Sequence, residues 1–193
     1  KFTERNVDRV MMGWEMPISW GQNFNPAFIL IFGALFSILW VKLSKIGKNP
    51  SIPAKFGLAL MQLGLGYGVL VVGADMAGDD YMVPLIALVL CYLLHTTGEL
   101  CLSPVGLSAV TKLAPKHMTG LVMGIWFLSI ASAHSVAAQI AMMTGEAGGE
   151  GSAEATLPIY VKVYDNMCWI ALGVGIFACA TSPFLKKWLH GAD

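Results

Sequence analysis

The sequence predicts an all-α membrane protein, a bundle with about five transmembrane helices. Two features of composition and one of pattern lead there. Of its 193 residues, 56% are hydrophobic and 12% charged, whereas soluble domains carry about 25% charged residues. Mean hydropathy is +0.66. The apolar residues gather in five runs, 17–41, 56–74, 81–110, 118–143 and 158–185. Each is near or above the roughly 20 residues that a helix needs to cross a bilayer.

Residues 1–16 are polar and of mixed charge, so they do not read as a signal peptide. The first span opens on Pro17, which a first helical turn accepts, with Trp14 and Trp20 at interface depth. Gln22 and Asn25 lie one turn apart inside it, next to an expected kink at Pro26. Residues 42–55 hold four lysines with Pro50 and Pro53 and read as a loop. The second span carries Gly57, Gly64, Gly66, Gly68 and Gly73, small residues that let helices approach closely in lipid. A turn with Asp75, Asp79 and Asp80 leads to the third span, in which Glu99 is the only Asp, Glu, Lys or Arg. The fourth span has no formal charge. Residues 144–156, rich in Gly, Ala and Glu, read as a flexible connection. The fifth span closes on Lys186, Lys187 and Trp188, and carries Lys162 and Asp165 near its start.

Charge orients these spans. Lys42, Lys45, Lys48, Lys55, Lys112, Lys116, Lys186 and Lys187 fall on alternate connections; Asp75, Asp79, Asp80, Glu146, Glu150 and Glu154 fall on the others. The positive-inside rule places the lysines in the cytoplasm, the N-terminus outside and the C-terminus inside. Five spans with an external start predict that this is the C-terminal part of a longer chain, with at least one span before Lys1. Zero net charge argues against a nucleic-acid partner. The four cysteines lie in apolar runs without a CxxC pair, so neither a disulfide framework nor a zinc site is indicated.

Glu99 is the residue that most needs a reason. A charge at mid-bilayer costs about 2.5–3.5 kcal/mol on insertion scales, and intramembrane acids mark binding sites and proton paths. Ser103 lies one turn on, on the same helix face, and His95 one turn back. Pro104 removes a backbone donor and crowds the carbonyl of Leu100, so a bend is expected beside the acid. Lys162, in the outer turns of the last span, is too shallow to pair with Glu99. Trp126 lies eight residues into the fourth span, about 12 Å along a helix. It is either the wall of a pocket or packing between helices, with Ser129 on an adjacent face. Gln22 and Asn25 are amides inside a span and need partners, so on the residues alone they read as hydrogen bonds between helices. His95 and Glu99 lack a third ligand, so no metal is expected.

At these residues the chain resembles a known family. Gly98-Glu99-Leu100-Cys101-Leu102-Ser103-Pro104, continuing through Gly106-Leu107 to Ala114-Pro115, is similar to the signature of proton-dependent oligopeptide transporters. Met123-Gly124-Ile125-Trp126 resembles that family's penultimate helix. Gln22-Asn23-Phe24-Asn25-Pro26 resembles a segment of its eighth helix, with asparagine where serine is usual. The resemblance implies a major-facilitator-type helical bundle, of which this chain is the C-terminal portion, helices eight to twelve. It implies a symporter of di- and tripeptides in the cell inner membrane, with protons as coupling ion and no cofactor, working against an N-terminal bundle of the same protein. The acid at Glu99 would engage the peptide's amino terminus and take part in proton coupling. Asn25, Ser103 and Trp126 would line the cavity, and Ser129 and Gln22 extend that set. Two alternatives remain: a relative carrying nitrate or a conjugated metabolite, and a non-transporting membrane scaffold in which Glu99 only pairs helices. An enzyme is not expected, because no nucleophile, base and orienting group occur together.

Overall fold

Helix α3, Ile52–Asp75, is the axis on which the chain is packed. The computed structural model describes residues 2–11, 13–148 and 152–188. In chain order, α1 (Phe2–Arg5), β1 (Val7–Asp8), β2 (Val10–Met11) and β3 (Trp14–Glu15) lead into a 3-10 helix at Ile18–Asn23. Then come α2 (Phe24–Lys45), α3, β4 (Val83–Pro84), α4 (Leu85–Leu113), α5 (Thr119–Gly148) and α6 (Ala153–Trp188). Five of these helices are long and apolar enough to cross a membrane.

Glycine makes α3 the axis. A Cβ on Gly57 would lie 2.9 Å from the carbonyl oxygen of Gly175 in α6, and one on Gly175 would lie 2.9 Å from that of Gly57. Gly64 meets Cys168 and Leu172 of α6 in the same way, and Gly98 of α4 seats against the carbonyl of Ala59. Backbones this close maximise dispersion contact where lipid gives helices no hydrophobic reason to associate. At one end of the α3–α6 seam, Ser51 and Ser182 share a buried hydroxyl–hydroxyl hydrogen bond of 2.6 Å. Helix α2 has no buried residue, and neither has the apolar stretch Thr119–Met142 of α5.

Several boundaries differ from the sequence expectation. The first span is not one α-helix kinked at Pro26. It is 3-10 up to Asn23, and Pro26 occupies the first turn of α2, where its missing N–H costs no intrahelical bond. The second span begins at Ile52, not 56, because Ser51 sits at the N-cap and Pro53 in the first turn. The loop expected over 42–55 therefore shrinks to residues 46–51. The third span starts at Leu85, since Val83–Pro84 pairs in parallel with Val7–Asp8. Helix α4 runs on through Pro104 to Leu113. The connection read as flexible is largely helical: α5 reaches Gly148 and α6 starts at Ala153, with residues 149–151 outside the described part.

The N-terminal segment, which hydropathy could not place, is a fitted plug. Asn6 is fully buried. Its amide donates to the carbonyl of Ala153 at 2.9 Å and to that of Tyr81 at 3.4 Å, and its Oδ1 accepts from the Thr156 hydroxyl at 2.8 Å. Val83 N–H donates to the Asn6 carbonyl at 2.8 Å. One side chain thus ties the start of the chain to the α3–α4 connection and to the first turn of α6. Phe2 adds an apolar anchor, edge-on to Tyr160 and Tyr164 at 5.1 Å each. The β2–β3 hairpin is held by Arg9, which pairs with Glu15 at 2.6 Å and donates to the Met16 carbonyl at 2.8 Å.

Candidate functional site

Glu99 is carried by the middle of α4, next to Gly98, the residue that brings α4 onto α3. One residue further round the helix, the carboxylate points away from that seam towards α2. There the Nδ2 of Asn25 donates to its Oε2 at 3.1 Å. Asn25 lies in the first turn of α2. Among the described residues no cationic side chain is within ion-pair distance of Glu99. Lys162 does not reach it. The acid is exposed rather than buried among these helices, because α2 and α5 spread away from α3 and leave that side of the bundle open. A carboxylate with one neutral donor and an open side keeps acceptor capacity for a further donor.

Beyond Glu99 the same face of α4 enters a groove of about 430 Å³ between α4 and α5. Ser103 and Leu107 line it from α4, and Trp126, Phe127, Ser129 and Ile130 from α5. Trp126 is held in place by Gly106: a Cβ there would lie 2.5 Å from Cη2 of the indole and 3.1 Å from Cζ of Phe56. The glycine is the notch that admits the indole edge. The Ser129 hydroxyl donates to the Trp126 carbonyl at 2.7 Å, back onto its own helix. The groove is apolar with two hydroxyls, and opens one helical turn from a carboxylate.

The six residues singled out from sequence are therefore not equivalent. Asn25 and Glu99 are in direct contact. Ser103, Trp126 and Ser129 share the groove. Gln22 sits on the 3-10 helix, exposed, and no hydrogen bond joins it to Glu99 among the described residues. His95, expected on the face of Glu99, is turned towards α3 instead. Its ring lies edge-on to Tyr67 at 4.8 Å, and Nε2 is 3.2 Å from the Leu63 carbonyl. Four residues along a helix leave about a 40° offset, enough to put the two side chains on different neighbours. Among the described residues no three His, Cys, Asp or Glu side chains converge.

Two residues near the acid escaped the sequence reading. Phe24 and Tyr92 meet at 6.0 Å between α2 and α4, and Phe28 stacks on Phe24 at 6.2 Å. The signal for Tyr92 was its place seven residues before Glu99, two helical turns along one face. Phe24 adjoins Asn25. Neither residue type stands out in an apolar span.

The POT family model matches residues 1–157. The chain is 32% identical to dipeptide and tripeptide permease B of Xenorhabdus bovienii over 96% of its length and 38% of that protein. It is 41% identical to the uncharacterized transporter YclF of Bacillus subtilis over 72% of its length and 28% of that protein. A mutant peptide transporter POT crystallised with alafosfalin superposes with a TM-score of 0.81 at 34% identity, over 96% of this chain and 36% of the other. The chain spans less than two fifths of the length of these relatives.

Proposed function

This chain belongs to the POT family, a family of membrane transporters, and on that premise we propose that it is the C-terminal part of a proton-coupled symporter of di- and tripeptides. It is a multi-pass membrane protein of the major-facilitator helical fold. In the proposed cycle a second, N-terminal bundle of the same protein closes the open side of α2, α4 and α5. The peptide sits between the bundles, and the two rock about it by alternating access. The chain is read as a carrier and not an enzyme, with protons as its coupling ion, in the cell inner membrane. Its N-terminus is outside and its C-terminus cytoplasmic.

The observation that carries this reading is the Asn25–Glu99 pair at the mouth of the Trp126 groove. An ionised carboxylate with spare lone pairs is the chemistry that holds an ammonium group. Asn25 fixes the carboxylate without neutralising it. A peptide bound by its amino terminus there extends its side chains over Ser103, Trp126 and Ser129, with Gln22 at the outer rim. Protonation of Glu99 removes the charge that holds the ammonium group, so peptide and proton alternate on this carboxyl. For symport the transported proton sits on another group while the peptide holds Glu99, and Glu99 takes part in coupling by setting when the peptide is released.

The test is dipeptide uptake into liposomes by the full-length protein under an imposed pH gradient. Glu99→Gln keeps an acceptor for Asn25 but has no charge and takes up no proton. Driven uptake should therefore fall at least about tenfold. If it is unchanged, Glu99 only pairs helices and the assigned role is wrong. Competition by dipeptides, and not by nitrate or conjugated metabolites, fixes the substrate class.

A further inference from the structure

We propose that His95 is a positioning residue: its bond to the backbone of α3 sets the rotation of α4 and so aims Glu99 at Asn25. The inference rests on the functional reading above. A carbonyl oxygen only accepts, so the contact of 3.2 Å between Nε2 and the Leu63 carbonyl means that Nε2 carries its hydrogen and donates. The ring is edge-on to Tyr67 at 4.8 Å. A Cβ on Gly66 would stand 2.6 Å from Nε2, so this glycine makes the space the imidazole occupies. One turn later Gly98 rests on the carbonyl of Ala59. Residues 95 and 98 are thus a two-point clamp on α3, and Glu99, the next residue, is presented on the free side to α2.

The clamp matters because the aim is narrow. A side-chain oxygen lies about 6 Å from its helix axis, so turning α4 by about 20° moves it about 2 Å. That displacement breaks a 3.1 Å hydrogen bond. The hydroxyls of this turn do not resist rotation: Thr96 and Thr97 donate back to carbonyls of α4 itself. His95 is the side chain of this turn that bonds across to α3.

The test uses the full-length protein. His95→Phe keeps a ring beside Tyr67 and loses the donor; His95→Gln keeps a donor that reaches Leu63. His95→Phe should raise the KM for dialanine about tenfold with kcat within about twofold, and His95→Gln should restore KM to within about threefold. In a Glu99→Gln background, His95→Phe should add no further loss of dialanine binding, because no charge is left to aim. A wild-type KM in His95→Phe, a His95→Gln variant as impaired as His95→Phe, or an undiminished effect in the Glu99→Gln background would each overturn the proposal. Spin labels at Leu30 of α2 and Leu113 of α4 read the geometry without transport. Their distance distribution should broaden in His95→Phe and narrow again in His95→Gln; an unchanged distribution would overturn the proposal on its own. This readout stands even if the wild-type protein takes up no dipeptide, an outcome that defeats the functional reading alone. Should His95→Phe not fold, Gly66→Ala crowds the same ring from α3 and should shift KM in the same direction; a wild-type KM there counts against the proposal.

Discussion

The side-chain amide of Asn25 donates to the carboxylate of Glu99 at 3.1 Å, joining α2 to α4 across 74 positions of sequence. Hydrogen bonds to charged groups contribute about 1.5–3 kcal/mol, so Asn25→Ala frees the carboxylate to sample other rotamers. The expected outcome is a KM for dipeptides raised about tenfold, with driven uptake retained at saturating substrate. Initial rates against substrate concentration check it.

Gly106 and Trp126 should behave as one unit. Gly106→Ala places a methyl 2.5 Å from the indole and must displace it. Overpacking of this kind costs about 1–3 kcal/mol. In a Trp126→Ala background the indole is gone and only Cζ of Phe56 remains, at 3.1 Å, so Gly106→Ala should cost less than it does in the wild type. Thermal melts of the four proteins in the cycle give the coupling; additive losses would mean that the notch does not seat Trp126.

Glycines of the spans divide by what they face. Gly57→Leu and Gly64→Leu drive side chains into the backbone of α6, so each should lower stability by about 1–3 kcal/mol. Gly33 on α2 has nothing within 4 Å of a built Cβ, so Gly33→Ala should be neutral or stabilise by up to about 1 kcal/mol. Melting temperatures of the purified variants separate the two classes.

Asn6→Ala removes the donor to the Ala153 and Tyr81 carbonyls and the acceptor of the Thr156 hydroxyl, which keeps the carbonyls of Ser152 and Ala153 in reach. Each lost hydrogen bond contributes about 0.5–1.5 kcal/mol. The loss should appear locally, as faster hydrogen exchange at Val83 and over the first turn of α6, before any change in the α3–α6 seam. Uniform acceleration along α3 would count against a local staple.

A single cysteine at position 48, between α2 and α3, should be shielded in intact cells from a membrane-impermeant thiol reagent, and one at position 79 should be labelled. The reverse pattern would invert the orientation derived from lysine placement.

How far the chain can be read without coordinates depends on the kind of information each feature uses. Span number follows from hydropathy because bilayer thickness sets a length that each apolar run either meets or does not. Glu99 stood out for the same reason: charge in an apolar run is costly, so its position alone demands a function. Boundaries were less legible. Pro26 and Pro53 read as breakers, yet both lie in first turns, where proline is tolerated. The plug built on Asn6 was invisible, because no local pattern says that a polar residue near the start will bond to residues 81, 153 and 156. His95 was placed on the right helix and near the right face, but with the wrong neighbour.

By itself the sequence determined a set of apolar helices, one acid among them, and the glycines that would let α3 be approached closely. Those are properties of composition and spacing, and they act before any two helices meet. Which helices meet, and so which donor faces which acceptor, was decided by packing. Gly98 and His95 set α4 against α3, Gly57 and Gly64 set α3 against α6, and the rotation left over delivers Glu99 to Asn25 and opens the groove under Trp126. A hydrogen bond needs an oxygen and a nitrogen within about 3 Å, and only the tertiary fold brings positions 25 and 99 that close.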